Sequence, residues 1–146
     1  MAHFAELKQK TDPTGFTTDL HWVVERVIVV DNSHVSADEA LDGENWCSTF
    51  FGGGTWKQTS YNNNFRKQYA GKGYIFDTAK NKFLTPQPFA SWSLDENDDW
   101  QAPVTYPTDI TGKQISWDEA GQKWTAKDSE DNNYNWDASA LAWVSA

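Results

Sequence analysis

Several groups of side chains in this chain are of types that do chemistry, and their spacing decides which chemistry is open to them. Asp95-Glu-Asn97-Asp-Asp99 supplies the oxygen-rich first half of a calcium loop. The motif breaks where it is most demanding: Trp100 stands where the sharp turn requires Gly, and Tyr106 where a bidentate Glu belongs. Asp128-Ser-Glu130-Asp131 is no closer, so both segments read as solvated acidic turns. Gly52-Gly53-Gly54-Thr55, followed by Trp56-Lys57, lacks the spacing of a phosphate loop and reads as a helix stop. His3, His21 and His34 show no ligand spacing, and Cys47 has no neighbouring base to make it a nucleophile. Any two of the 21 acids could meet across a cleft as a glycosidase pair, but nothing in the sequence selects two of them. No cofactor, metal or catalytic residue is therefore expected.

Two other sets point to recognition. Lys57, Arg66, Lys67, Lys72, Lys80 and Lys82 interleave with Trp56, Tyr61, Phe65, Tyr69, Tyr74, Phe76 and Phe83, and Trp56, Lys57, Arg66, Lys67 and Lys72 are the candidate docking residues. Such a pattern can track a nucleic-acid strand, dock on an acidic protein surface, or place rings in a core with charges in water. Trp92, Trp100, Trp117, Trp124, Trp136 and Trp143 could likewise stack on the apolar face of a sugar, or pair across strands to hold a thin sheet together.

The elements that position these residues are mostly hairpins. One frame recurs four times: Tyr74-x-Phe76-Asp77 to Phe83, Trp92-x-Leu94-Asp95 to Trp100, Ile115-x-Trp117-Asp118 to Trp124, and Tyr134-x-Trp136-Asp137 to Trp143. Asp caps a turn through its own side chain, and the flanking aromatics favour paired strands. Upstream, His3 to Leu7 and Val23 to Val30 read as two pairing strands joined by a polar excursion, Lys8 to Trp22. Ser36-Ala-Asp-Glu39 matches a capping box for one short helix within 37–51, with Leu41, Trp46 and Phe50 near one helical face, Cys47 on an apolar face as a core residue, and Gly43 weakening its middle. Thr55 to Tyr61 and Phe65 to Ala70 read as a second strand pair about Asn62-Asn63-Asn64. Four prolines, Pro86 to Pro107, mark a boundary near residue 85, and 127–133 reads as mobile.

The fold expected is mainly β with one short α-helix: a small α+β part, 1–84, whose segment 55–84 is a basic docking region, then a tandem array of Trp-rich β-hairpins, 85–146. Net charge is −9, which opposes general nucleic-acid binding. Its distribution is uneven, with three Lys/Arg against nine Asp/Glu in residues 1–54, six against one in 55–84, and three against eleven in 85–146. A single cysteine excludes an intramolecular disulfide, and neither a signal peptide nor an apolar run of about 20 residues is present. A chain folded in a cytoplasm, with no membrane and no nucleic-acid partner, is the expectation.

The opening MAHFAEL, the strand ERVIVVDN, and above all FGGGTWKQTSYNNNFRKQYAGKGYIFD followed by PFASWSLDENDDWQAP resemble a family of small virion-associated structural proteins of tailed bacteriophages of marine bacteria, cyanophage-type in particular. The similarity covers most of the chain, and Lys8 to Trp22 departs from the family's compact hairpin. It implies a non-enzymatic component on the outside of the particle: a capsid decoration or knob protein, or a small tail or fibre piece. Partners would be other phage capsid or tail proteins and further copies of itself, with the basic region as the docking face. The alternative reading is a carbohydrate-binding module for host surface glycans, using the six hairpin Trp residues.

Overall fold

The computed structural model describes all residues, Met1–Ala146, and the chain divides into two compact units, Met1–Pro86 and Gln87–Ala146. The protein is mainly β with a single α-helix.

The first unit is a five-stranded antiparallel sheet in the order β3-β1-β2-β4-β5. Its long central pair is β1 (Ala2–Thr11) with β2 (Leu20–Val30), flanked by β3 (Thr55–Thr59), β4 (Ile75–Asp77) and β5 (Lys82–Leu84). The β1–β2 ladder runs on past Leu7, so Lys8–Thr11 and Leu20–Trp22, at the two ends of the polar stretch between the expected strands, are themselves strand. Only 12–19 turns, around buried Asp12, whose carboxylate accepts from the Thr14 amide and hydroxyl and from the Thr17 hydroxyl. The register slips once between Glu6 and Leu7, leaving Glu25 as the extra residue of a bulge, paired in charge with Lys10.

Strand alternation gives the sheet two cores. One holds Ala2, Phe4, Val30 and Trp56 against Cys47 of α1 (Glu39–Phe50). The other holds Ala5, Leu7, Val24, Phe76 and Phe83, closed by Ala70 and half-buried Tyr74. The helix lies on the first core through Gly43 and Cys47, not through Leu41 and Phe50, which are exposed. Gly43 is there because the Phe4 ring occupies the place of a side chain: a Cβ would sit 1.9 Å from Cζ. Its cap also differs from the expected box. Asp38 caps the Leu41 amide, Ser36 donates to Asp42, and Glu39 accepts from Gln58.

Segment 60–74 is not the strand partner expected of Phe65–Ala70. Arg66 and Lys67 have φ of 51° and 70°, a left-handed turn incompatible with a strand. Side chains and backbone crossings fix it instead, with Ala70 N–H donating to Thr59 Oγ1, Tyr69 N–H to Asn63 Oδ1, and Phe83 N–H to Arg66 O.

The second unit carries three copies of the repeated hairpin. The pair β6 (Ser93–Leu94) with β7 (Trp100–Gln101) stands alone; β8 (Gln114–Asp118), β9 (Lys123–Lys127), β10 (Asn133–Asp137) and β11 (Ala142–Ser145) form one sheet in sequence order. The remaining copy of the repeat, β4–β5, the first in the chain, belongs to the first unit's sheet. In every copy the Asp after the paired apolar residue accepts a turn amide: Asp77 from Lys80, Asp95 from Asn97 and Asp99, Asp118 from Gly121, Asp137 from Ser139 and Ala140. A left-handed residue follows in each, at Asn81, Asp98, Gln122 and Leu141. The β9–β10 connection repeats the Asp95 device: Asp128 accepts from the amides of Glu130 and Asn132, and Asp131 is left-handed. What read as a mobile stretch is a closed turn.

Candidate functional site

Along the helix, Trp46 and Phe50 are four residues apart and so share a face. His34 stacks on Trp46 with centroids 4.5 Å apart and planes at 23°, and Trp46 stacks on Phe50 at 4.7 Å and 16°. Phe50 meets Phe51 edge-on at 4.9 Å, and Phe51 stacks on Trp56 at 5.0 Å and 23°. The Arg26 guanidinium crosses the far end, 4.4 Å from the Phe51 centroid and 5.4 Å from that of Trp56, with Glu6 Oε1 3.3 Å from its Nε. The rings grade from surface to core: Phe50 is 66% exposed, Phe51 37% and Trp56 4%. The inner rings make the strip rigid, and the outer ones leave it open to solvent.

This strip contains one of the residues proposed for docking, but in another role. Trp56 is a buried anchor whose indole N–H donates to Gly53 O at 3.2 Å, not a surface group. Arg66 is likewise structural: its Nη1 donates to Gln58 O at 2.9 Å, its Nε to Asn81 Oδ1 at 3.0 Å, and its guanidinium lies 5.6 Å from the Phe76 ring. Lys57 and Arg66 each approach Glu44 to 3.8 Å. Burial raises the Glu44 pKa in spite of these two cations, so its charge is poorly hydrated there. Lys67 is half-buried in the left-handed turn, and Lys72 is exposed. The five residues do not share one face; β3 alternation and the fold-back of 60–74 turn two of them inward.

The six hairpin indoles are placed by packing. In the four-stranded sheet Ile115, Trp117, Trp124, Ala126, Tyr134, Trp136 and Trp143 alternate with Gln114, Ser116, Thr125, Lys127, Asn133 and Asn135, giving one aromatic and one polar face. Trp117 pairs with Trp124, and Trp136 with Trp143, both edge-to-face at 5.0 Å, while Trp92 turns an edge to Trp117 and Trp124. The indole N–H groups of Trp124 and Trp143 donate at 2.8 Å to Val104 O and Asp109 O of the connecting segment. Trp117 donates to Glu119, which also accepts from the amide and hydroxyl of Ser91; these bonds hold the Glu119 pKa low. Trp124 and Trp136 are buried, and Trp92, Trp100, Trp117 and Trp143 are half-buried. Edge-to-face packing does not make a flat platform for a sugar.

No group of three or more His, Cys, Asp or Glu side chains stands where it could hold a metal ion. Cys47 lies in the core, where burial first and Glu44 second push its thiol up to about 11. No helix is long and apolar enough to cross a membrane. No family model, curated protein or solved structure matches the chain.

The sequence contained the signal for the strip, Trp46-x-x-x-Phe50-Phe51. Helical spacing groups these rings without saying whether a partner from the same chain covers them.

Proposed function

We propose that the chain is a non-enzymatic structural protein on the outside of a tailed-phage virion, a capsid decoration or a small tail component, that docks through the aromatic strip of its first unit. The observation that carries this reading is the strip itself. A rigid, partly exposed stack of Trp, Phe and Arg has the composition of the energetic centre of a protein–protein interface. Large exposed apolar groups on a small unit mark a contact surface. Phe50 supplies the protruding ring, and Trp56 and the Arg26–Glu6 pair fix the base beneath it. The resemblance of MAHFAEL, ERVIVVDN and the central Gly-rich stretch to virion-associated proteins supplies the place. The partners are capsid or tail proteins and further copies of this chain.

Phe50→Asp alters an exposed ring and leaves the two cores intact. Tagged wild-type and Phe50→Asp chains, expressed during infection, are quantified in purified particles by mass spectrometry. Wild type is expected in particles, and the variant at least about tenfold depleted, the effect of losing about 1.4 kcal/mol of binding. Absence of the wild-type chain from particles overturns the virion reading. Equal incorporation of the variant overturns the docking face.

A further inference from the structure

A second exposed aromatic group lies elsewhere on the first unit and has a different build. Tyr61 is 65% exposed, yet it is not loose. The His3 ring stacks behind it with centroids 5.4 Å apart and planes at 24°, and Tyr69 meets it edge-on at 5.2 Å and also meets His3 at 5.5 Å. One face of Tyr61 is thereby backed by a second ring while most of its surface stays in water. Beside it opens a cleft of about 240 Å³, with Phe65, 42% exposed, on its wall.

The polar groups of this cleft come as matched donors and acceptors. Thr59 Oγ1 accepts the Ala70 amide and is fully buried, while Ser60 Oγ accepts the Asn64 amide, which leaves the Ser60 O–H as a donor. Gln58 Nε2 donates to Glu39 Oε1 at 2.5 Å, which orients a carboxylate at the cleft as an acceptor. Asn62 brings an amide with both functions. A flat, supported ring beside hydroxyl, amide and carboxylate groups suits a ligand that is apolar on one face and carries hydroxyls around its rim. A quaternary ammonium could use the rings and the carboxylate but none of the hydroxyl or amide donors. The volume lies just below the roughly 300–1,000 Å³ of drug-sized pockets, so one ring fits.

We infer that this cleft binds a single neutral hexose residue, the pyranose face stacked on Tyr61 and the hydroxyls bonded to Glu39, Ser60 and Asn62. The cleft shares no lining residue with the docking strip, and the inference stands whether or not the chain is a virion protein.

The test uses the full chain titrated with the methyl glycosides of glucose, galactose, mannose and N-acetylglucosamine. Ring-proton shifts of Tyr61, Phe65 and His3 are followed by NMR, with Trp fluorescence in parallel. At least one glycoside is expected to move the three rings with a Kd of about 1 mM. Trp emission stays flat, because no indole lines this cleft. Tyr61→Ala weakens binding at least about tenfold, Tyr61→Phe by less than about twofold, and Phe50→Asp leaves it unchanged. The inference is overturned if none of the four shifts these rings, if Tyr61→Ala binds as wild type does, or if the indoles respond while the Tyr61 ring does not. Tetramethylammonium binding with the same dependence on Tyr61, and no glycoside binding, would make the cleft a cation site instead.

Discussion

Gly43→Ala sets two physical effects of opposite sign against each other. In the middle of a helix the change gains about 0.8–1.0 kcal/mol of backbone propensity. Here the new Cβ would fall 1.9 Å from Phe4 Cζ and 2.6 Å from both Cε atoms, far inside the roughly 3.5–4.0 Å at which carbons attract. Phe4 is fully buried and, with Phe83, is one of the two largest fully buried side chains. Ala2, Val30, Cys47 and Trp56 share its cluster, so the ring cannot step aside without displacing the helix. Overpacking of this kind costs about 1–3 kcal/mol and more when backbone must move, so the clash wins and a net loss of about 1–2 kcal/mol is expected. Cys47 reports on this core directly. Its thiol is buried and raised to about 11, so it resists alkylation near pH 8 in the folded chain and reacts once exposed at an ordinary value of about 8.5. Alkylation followed against urea should show the midpoint lowered by about 1 M, taking an m-value of about 1–2 kcal/mol/M. Phe4→Leu, which shortens the obstructing side chain, should make Gly43→Ala less harmful, with a coupling of at least about 1 kcal/mol in a double-mutant cycle. A Gly43→Ala chain as stable as wild type, or more so, would refute the argument that the ring demands the glycine.

Leu141 carries an exposed side chain at φ 53°, where the other three repeats have Asn81, Asp98 and Gln122; Leu141→Asn should raise second-unit stability by about 0.5–1 kcal/mol in thermal melts, and no gain would mean that the turn is not strained. Cys47 binds its proton more tightly folded than unfolded, so its contribution is complete below the unfolded pKa and fades as pH rises from about 9 toward 11. Urea midpoints should show a decline across that window that Cys47→Ala flattens, and an equal slope in both chains would rule this out. Asp128 is held at about 2 by Asn132 first, against desolvation, with Tyr134 and Glu130 adding further hydrogen bonds. The turn is therefore supported above the ordinary carboxylate range and loses that support as pH falls toward 2; carboxyl ¹³C shifts should titrate there and move upward in Tyr134→Phe, and an ordinary titration would contradict the hydrogen-bond account.

The recurring frame of two aromatic or apolar residues spaced by one, followed by Asp, is the feature most legible without coordinates. An Asp that caps one or two amides two to four residues on, a left-handed residue after it, and aromatics seven apart that end opposite each other at Phe76–Phe83, Trp117–Trp124 and Trp136–Trp143 are all fixed within ten residues. The docking set was not legible in the same way. Arg66 looks like a surface cation until its neighbours arrive from Gln58, Asn81 and Glu44, all distant in sequence. The cleft beside Tyr61 is assembled from His3, Glu39, Gln58 and Phe65, on four separate pieces of chain.

By itself the sequence determined the β character of the chain, its single helix, the four hairpins and the alternation that puts indoles on one face of a strand. Those properties depend on backbone preferences and on neighbours a few positions away, which residue order states directly. Tertiary structure alone decided that Phe4 fills the place of a side chain at Gly43, that Trp56 is covered while Phe50 is not, and that Arg66 turns inward. Burial of a given ring or charge depends on which distant segment packs against it, and that follows from the closing of the whole sheet.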